Sequence, residues 1–138
     1  MCIRDRITPH SKEFARLFPH LKGETNVELA LKAAKEFNIS VLLKGANSIV
    51  ADNKNAWQVF GTDSQTARAG LGDLLSGFVA GRSAIDLTFC RNISTDFFAK
   101  YVLLHSFAAS KCKTGSNASA IGDELSKLMR NRKMRQIS

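Results

Sequence analysis

A capped helix that leads directly into a short apolar run is the feature that most restricts how this chain folds. Thr25 and Glu28 have the spacing of a capping box, in which Thr25 accepts from the Glu28 amide and the Glu28 carboxylate reaches back. The helix should stop near Asn38, and residues 39–43 then form a nearly continuous apolar run, typical of a strand covered on both faces. A helix followed by a buried strand predicts a parallel αβ unit, so we assign the chain to the α/β class.

The segment before this unit should contribute a strand and a short helix. Pro9 holds the residue before it extended, so we expect residues 7–10 to be a strand end followed by a turn. Ser11 can cap a helix whose inward residues are Phe14, Leu17 and Phe18. His10 then lies in a strand-to-helix loop, where open α/β sheets bind ligands, although many loop histidines have no such role.

The remaining elements follow from turn residues and periodicity. Two short apolar runs flank residues 52–55 and predict an antiparallel hairpin. Residues 82–93 have no strong period and receive no prediction. The other predicted elements are helices, which run up to Gly81 from a glycine-rich turn, over residues 96–111 and over residues 118–129. His105 lies at the margin of an apolar stripe, so we expect it to pack in the core.

The glycine-rich turn is Gly70-Leu71-Gly72-Asp73. Apolar residues recur at helical spacing immediately after it, so it should open a helix. Amides at a helix N-terminus lack partners and carry partial positive charge, and glycine lets a phosphate approach closely, so Gly70, Leu71 and Gly72 form a candidate anion nest. Asp73, at the edge of this nest, could accept a proton from a substrate hydroxyl.

The same motif is also typical of an ordinary turn with a capping aspartate. Two better-known phosphate motifs are excluded. The dinucleotide fingerprint requires a third glycine where Leu75 stands, together with an upstream strand, and the chain contains no Gly-Lys-Ser/Thr of a P-loop.

A second candidate nucleotide site follows the buried strand. Lys44, Gly45, Ala46, Asn47 and Ser48 offer a cation, a flexible residue and small polar groups. These residues could hold a phosphate or a ribose. A solvated turn is an equally good interpretation, because Gly, Asn and Ser are ordinary turn residues.

Composition limits the class of protein. The 138 residues suffice for one modest core, and 44% hydrophobic residues is typical of a globular protein. We expect a cytoplasmic protein without a membrane partner, because no apolar run approaches the ~20 residues of a membrane span. The three cysteines and three histidines lack metal-ligand spacing, so we predict no metal bound by the protein alone.

The formal net charge of +8 raises the possibility of nucleic-acid binding. Much of the excess lies near a basic tail at residues 130–138, and aromatic residues are not interleaved with those charges. An anionic small-molecule substrate explains the charge equally well. A basic nucleic-acid-binding module therefore stays an alternative rather than the leading hypothesis.

The sequence resembles the ADP/ATP-dependent NAD(P)H-hydrate dehydratases, a branch of the ribokinase-like superfamily. The resemblance is carried by three ordered stretches, which are Thr8-Pro9-His10 with Glu13, Leu43-Lys44-Gly45 leading into residues 49–51, and residues 67–81 around Gly70-Leu71-Gly72-Asp73. It implies the C-terminal portion of a three-layer αβα ribokinase-like fold. Residues 7–129 would be part of one domain, after a misplaced or non-native start at residues 1–6 and before the basic tail.

This resemblance implies repair of nicotinamide cofactors whose ring has been hydrated. The terminal phosphate of ADP or ATP, carried with Mg²⁺, would be transferred to the ring hydroxyl, and phosphate elimination would restore the double bond. His10 and Asp73 would contact the hydrated cofactor, with Asp73 as the base and the nest amides stabilising the phosphoryl group. The residues implied for the nucleotide site are Lys44, Gly45, Ala46, Asn47, Ser48 and Gly72. The complete protein is expected to be a homo-oligomer.

Three positions depart from the family pattern. Ser11-Lys12 replaces a Pro-Gly pair, Ala69 replaces the first turn glycine, and Leu71 replaces a small or hydroxylated residue. Backbone amides survive all three changes. A related kinase that phosphorylates a sugar or vitamin-precursor alcohol is the alternative enzyme, because the nest and Asp73 would serve that reaction equally.

Overall fold

The computed structural model describes residues 5–60, 70–88, 95–113 and 115–130, and the chain divides into two units, Met1–Phe60 and Gly61–Ser138. The first contains β1 (Arg6–Ile7), α1 (Ser11–Leu17), α2 (Asn26–Phe37), β2 (Ser40–Leu43), β3 (Ser48–Ala51) and β4 (Ala56–Val59). The second contains α3 (Leu71–Thr88), α4 (Thr95–Lys111) and α5 (Ala118–Arg130). Most of the predicted start and basic tail, residues 1–4 and 131–138, lies outside the described residues.

The four strands form one sheet in the order β1-β2-β3-β4, with β1 parallel to β2 and both later pairs antiparallel. Helices α1 and α2 connect β1 to β2, so the predicted parallel αβ unit is confirmed. The predicted hairpin is also confirmed. Its turn is held by Asp52, whose Oδ1 accepts from the amides of Lys54 and Asn55 at 2.7 Å each.

Helix α2 begins and ends where the sequence predicts. Thr25 Oγ1 accepts from the Glu28 amide at 3.2 Å, and Asn38 ends the helix in the left-handed conformation with φ of 52°. The other arm of the predicted capping box differs. The Glu28 carboxylate accepts from the amide of Glu24 at 2.9 Å, because the bend at residues 24–25 offers it that amide instead.

Every residue of β2 is buried, as predicted for a strand covered on both faces, and every residue of β3 is buried as well. Phe14 and Phe18 of the α1 region pack in this core with three alanines of α2, Ala30, Ala33 and Ala34. Val41, Leu43 and Ile49 belong to the same core. Burial of each such side chain stabilises the first unit by about 1.5–3 kcal/mol. The prediction for Leu17 is wrong, since 57% of this residue is exposed.

Helix α3 extends well beyond the predicted end at Gly81 and reaches Thr88. Its buried residues keep helical spacing, but the face changes from apolar at Leu75 and Val79 to polar at Ser83 and Asp86. Hydrophobic periodicity therefore fades although the helix continues. Three glycines inside the helix add to the weak signal, because glycine is a poor helix former.

The polar end of α3 is bound to α4 by one cluster of side chains. Tyr101 is fully buried, and its hydroxyl donates to the carboxylate of Asp86. The Arg82 guanidinium lies 3.6 Å from the same carboxylate and 6.0 Å from the centre of the Tyr101 ring. Because a buried carboxylate is costly without partners, this cluster fixes the register of α4 against α3.

Helices α4 and α5 agree with the sequence prediction. Ala108 and Ala109 of α4 pack against Ile121 and Leu125 of α5. His105 is buried, as expected of a core residue, and burial lowers its pKa because the charged form is desolvated. The burial of His105 confirms the prediction that it packs in the core, which is a structural role.

Tyr101 makes the α3–α4 cluster directly measurable, because it is the only tyrosine of the chain. Burial, together with the hydrogen bond to Asp86, raises the pKa of Tyr101 to about 12. The phenolate absorbance of the folded chain should therefore appear about two pH units above the ~10 expected of the urea-unfolded chain.

The Asp86→Asn variant should lower this midpoint, because the anion beside the phenol is removed. Asp123→Asn, at an exposed position of α5, should leave it unchanged. Circular dichroism at each pH would establish that the helices persist. A midpoint near 10 in the helical wild-type chain would contradict the cluster.

Candidate functional site

The pairing of β1 with β2 continues past both strands and places His10 beside Lys44. The Lys44 amide donates to the Pro9 carbonyl at 2.8 Å, and His10 and Lys44 form a parallel bridge. Two residues that the sequence predicted to bind ligands are thus neighbours at the carboxyl ends of parallel strands. Open α/β sheets bind ligands at this edge.

His10 is also the N-cap of α1, where the sequence predicted Ser11. Its Nδ1 accepts from the amides of Lys12 at 3.1 Å and Glu13 at 3.3 Å. In return, the Glu13 carboxylate accepts from the His10 amide at 2.7 Å, which completes a capping box. The prediction was wrong by one residue because an imidazole nitrogen reaches the same amides as the usual hydroxyl or carboxylate caps.

Glu13 is a site residue to which periodicity and composition assigned no role. The His10 amide, as a hydrogen-bond donor, is the main cause of a lowered pKa at Glu13, and the charges of His10, Lys44 and Arg16 act in the same direction. Glu13 therefore presents a carboxylate at this edge at neutral pH. The sequence signal that could have revealed this role is the position of Glu13 three residues after His10, which is the spacing of a capping box.

The turn between β2 and β3 contains the predicted nucleotide-site residues. Gly45, Ala46 and Asn47 are exposed, Lys44 is half-buried and Ser48 is buried. The Ser48 hydroxyl donates to the Gly45 carbonyl at 3.3 Å, so it closes the turn. The exposed side chain of Asn47 and the half-buried Lys44 are the turn's polar groups facing solvent.

The predicted glycine turn opens a helix, as expected. Gly70 has a φ of 82°, and α3 begins at the next residue. The Leu74 amide donates to the Gly70 carbonyl at 2.9 Å, and this is the first turn of the helix. Leu74 is the first residue whose amide has an acceptor within the helix. The amides of Leu71, Gly72 and Asp73 come before it, so they have no such acceptor.

Asp73 lies in the first turn of α3 and is exposed. It is the third residue of the helix, so Gly70 rather than Asp73 occupies the capping position. A carboxylate in a first turn is stabilised by the helix dipole and stays accessible to solvent. The site residues Gly70 to Asp73 belong to the second unit, and His10 and residues 44–48 belong to the first.

The sequence matches the family described as NAD(P)H-hydrate dehydratase over residues 6–131. The chain belongs to this family. The resemblance stated from the three ordered stretches is therefore confirmed. The region that matches the dehydratase family begins at Arg6, which pairs with Ser40 in the β1–β2 ladder.

Curated relatives are similar to just over half of this dehydratase-family chain. The ADP-dependent (S)-NAD(P)H-hydrate dehydratase of Nitrosopumilus maritimus is 38% identical over 78 residues, which is 54% of this chain and 27% of the relative. A bifunctional NAD(P)H-hydrate repair enzyme of Synechocystis is 36% identical over 76 residues, 54% of this chain and 14% of that protein. The chain thus matches only a minor part of each relative's length.

Solved structures confirm the ribokinase-like α/β fold. The ADP/ATP-dependent NAD(P)H-hydrate dehydratase of Bacillus subtilis, co-crystallised with ATP and Mg²⁺ and soaked with CoA, superposes with a TM-score of 0.70 at 21% identity, over 88% of this chain and 47% of that one. A ribokinase-like superfamily protein of Enterococcus faecalis gives a TM-score of 0.74 at 21% identity, over 91% of this chain and 43% of that chain.

The described residues also bear on metal sites and membrane spans. Within residues 5–60, 70–88, 95–113 and 115–130, no group of three His, Cys, Asp or Glu side chains could hold a metal ion. In the same ranges, no helix combines the length and hydropathy that a membrane span requires.

The positive φ of Gly70 predicts that alanine at this position is destabilising. Left-handed backbone costs a residue with a Cβ about 1–2 kcal/mol, so Gly70→Ala should lower the free energy of unfolding by that amount. Gly77→Ala is the matched control. Gly77 lies inside α3, and among the described residues a Cβ there would meet no atom within 4 Å apart from the helix's own backbone. This change should therefore stabilise by about 0.5–1 kcal/mol.

Urea denaturation followed by circular dichroism measures both differences. The opposite signs of the two expected changes carry the test, because each substitution adds one methyl group, at the capping position before α3 or inside α3. Equal stabilisation by the two alanines would contradict the left-handed turn.

Proposed function

We propose that this chain carries part of a nucleotide-dependent NAD(P)H-hydrate dehydratase, which restores hydrated NAD(P)H to the intact cofactor. Family membership supports the choice of reaction. The observation that carries it is the turn at Gly70, which opens α3 with three amides that have no helical acceptor and with Asp73 exposed beside them. Such a turn offers an anion-binding group and a carboxylate within a single helical turn.

The nucleotide, ADP or ATP, is assigned to residues 44–48 and to the amide of Gly72. Lys44 supplies a cation at the carboxyl end of β2, and the exposed backbone at Gly45, Ala46 and Asn47 allows close approach. Ser48 acts through the turn, because its hydroxyl holds the Gly45 carbonyl. Mg²⁺ would accompany the nucleotide phosphates and neutralise part of their charge.

In the first step, Asp73 takes the proton from the ring hydroxyl of the hydrated cofactor. The hydroxyl oxygen then forms a bond to the terminal phosphorus of the nucleotide, and the bond from that phosphorus to the bridging oxygen breaks. The amides of Leu71 and Gly72 stabilise the charge on the phosphoryl oxygens during transfer. Asp73 therefore acts as the general base.

In the second step, the phosphate ester is eliminated. The bond between carbon and the ester oxygen breaks, phosphate leaves with the bonding electrons, and the adjacent ring carbon loses a proton. The ring double bond is restored without any change in oxidation state. His10 contacts the cofactor during these steps.

Further features of the complete protein belong to the same proposal. We place residues 7–129 in one domain, as the C-terminal portion of the enzyme, with a basic tail at residues 130–138. The complete protein would act in the cytoplasm as a homo-oligomer.

The proposal is tested in a chimera that places the N-terminal part of the Nitrosopumilus maritimus relative before residues 6–131. With hydrated NADH and ADP or ATP, the absorbance of dihydronicotinamide should recover. Asp73→Asn should lower the rate at least ~100-fold, because a general base is lost. Nucleotide binding should be nearly unchanged, because the nest amides remain.

Asp123→Asn is the control, since Asp123 is exposed on α5. A folded chimera that binds nucleotide but restores no NADH would contradict the dehydratase. A phosphorylated alcohol that accumulates without elimination would identify the alternative kinase instead.

A further inference from the structure

The His10 ring is held by hydrogen bonds that distinguish its two nitrogens. Nδ1 accepts from two backbone amides, those of Lys12 and Glu13. A nitrogen that accepts such bonds uses its lone pair and carries no proton. The neutral ring must therefore carry its single proton on Nε2.

Glu13 favours the same arrangement. Its Oε2 accepts from the His10 amide at 2.7 Å, while its Oε1 lies 3.5 Å from Nε2. A carboxylate near Nε2 attracts the proton to that nitrogen. The distance of 3.5 Å is too long for a strong hydrogen bond, so Nε2–H can donate to a further acceptor. About half of the His10 side chain, 51%, is exposed.

We propose that His10 enters the reaction as a fixed Nε2–H donor to an oxygen of the hydrated cofactor, and that Glu13 is the positioning residue that sets this tautomer. The identity of the acceptor rests on the proposed function, whereas the tautomer rests only on contacts within α1. Lys44 is the partner of His10 in the backbone bridge, and its charge contributes to the lowered pKa of Glu13.

This tautomer limits the chemistry of His10. A neutral imidazole whose outward nitrogen already carries a proton cannot accept one from the substrate through that nitrogen. The inward nitrogen is engaged with the helix. His10 therefore orients and polarises the cofactor, and the base must be a different group, which in the proposed function is Asp73.

The chain contains an internal comparison for this arrangement. His20 Nε2 lies 3.0 Å from Glu36 Oε1, and the two side chains are 53% and 47% exposed, close to the values for His10 and Glu13. His20 lies between α1 and α2 and caps neither helix. The two pairs thus differ in the backbone contacts of the ring and in the distance from Nε2 to the carboxylate, which is a hydrogen-bond distance only at His20.

Long-range correlation of ¹⁵N with the ring hydrogens reads the tautomer of each histidine directly. The full chain, labelled with ¹⁵N-histidine, is measured at about pH 8, well above the ordinary ~6.5 pKa of histidine. The His10→Asn and His20→Asn variants assign the signals. We expect His10 to show the Nε2–H form with no detectable Nδ1–H population. The urea-unfolded chain should show both forms.

Three variants test the role of Glu13. Glu13→Ala removes the carboxylate that accepts from the His10 amide and completes the cap, and it removes the charge near Nε2. The ring should then leave the backbone amides for part of the time, so an Nδ1–H population should appear at His10. Glu13→Gln keeps an oxygen that can accept from the His10 amide and should restore most of the wild-type pattern. Glu36→Gln, in the matched pair, should leave His10 unchanged.

Wild-type His10 with its proton on Nδ1, or with the tautomer mixture of the unfolded chain, would overturn the proposal. Unaltered His10 signals in Glu13→Ala would overturn the role of Glu13. If the chimera fails to repair hydrated NADH while His10 keeps the fixed tautomer, the proposed function is wrong and the tautomer assignment stands.

Discussion

The backbone hydrogen bond from the Lys44 amide to the Pro9 carbonyl is the contact on which the candidate site of the first unit depends. It continues the parallel register of β1 and β2 to a bridge three residues beyond the last ladder pair, and it aligns the two loops that follow these strands. The loop after β1 becomes a helix capped by His10, and the loop after β2 becomes the turn that contains Lys44. Parallel strands bring their carboxyl ends to one edge, so residues 34 positions apart become neighbours.

In the second unit, helix α3 joins the candidate anion nest to a buried polar cluster. The left-handed Gly70 starts α3 without a Cβ in the way, and the same helix continues to the cluster of Arg82, Asp86 and Tyr101. One helix therefore carries the candidate nest at its start and a buried polar anchor to α4 near its end. The anchor holds α3 in register, which keeps the exposed Asp73 on a rigid element.

Much of this fold could be predicted from sequence because local signals and packing agree. The Thr25 cap, the left-handed Asn38 and the buried strand after it are each encoded within a few residues. Two features escaped prediction for physical reasons. The N-cap at His10 was missed because imidazole rarely caps a helix. The last part of α3 was missed because its buried face becomes polar at Ser83 and Asp86, which ends the apolar periodicity. The candidate site residues came from turn chemistry and a family resemblance, while the role of Glu13 required the hydrogen bonds.

Titration of the ¹⁵N-labelled chain with Mg²⁺-ATP tests the central proposal, that the turn at residues 44–48 and the turn at Gly70 each bind phosphate. We expect the amide signals of residues 44–48 and of residues 71–73 to shift in a saturable manner. The Gly70→Ala variant should weaken the shifts at residues 71–73 more than those at residues 44–48. Shifts confined to the basic residues 130–138, or none in either turn, would contradict the account.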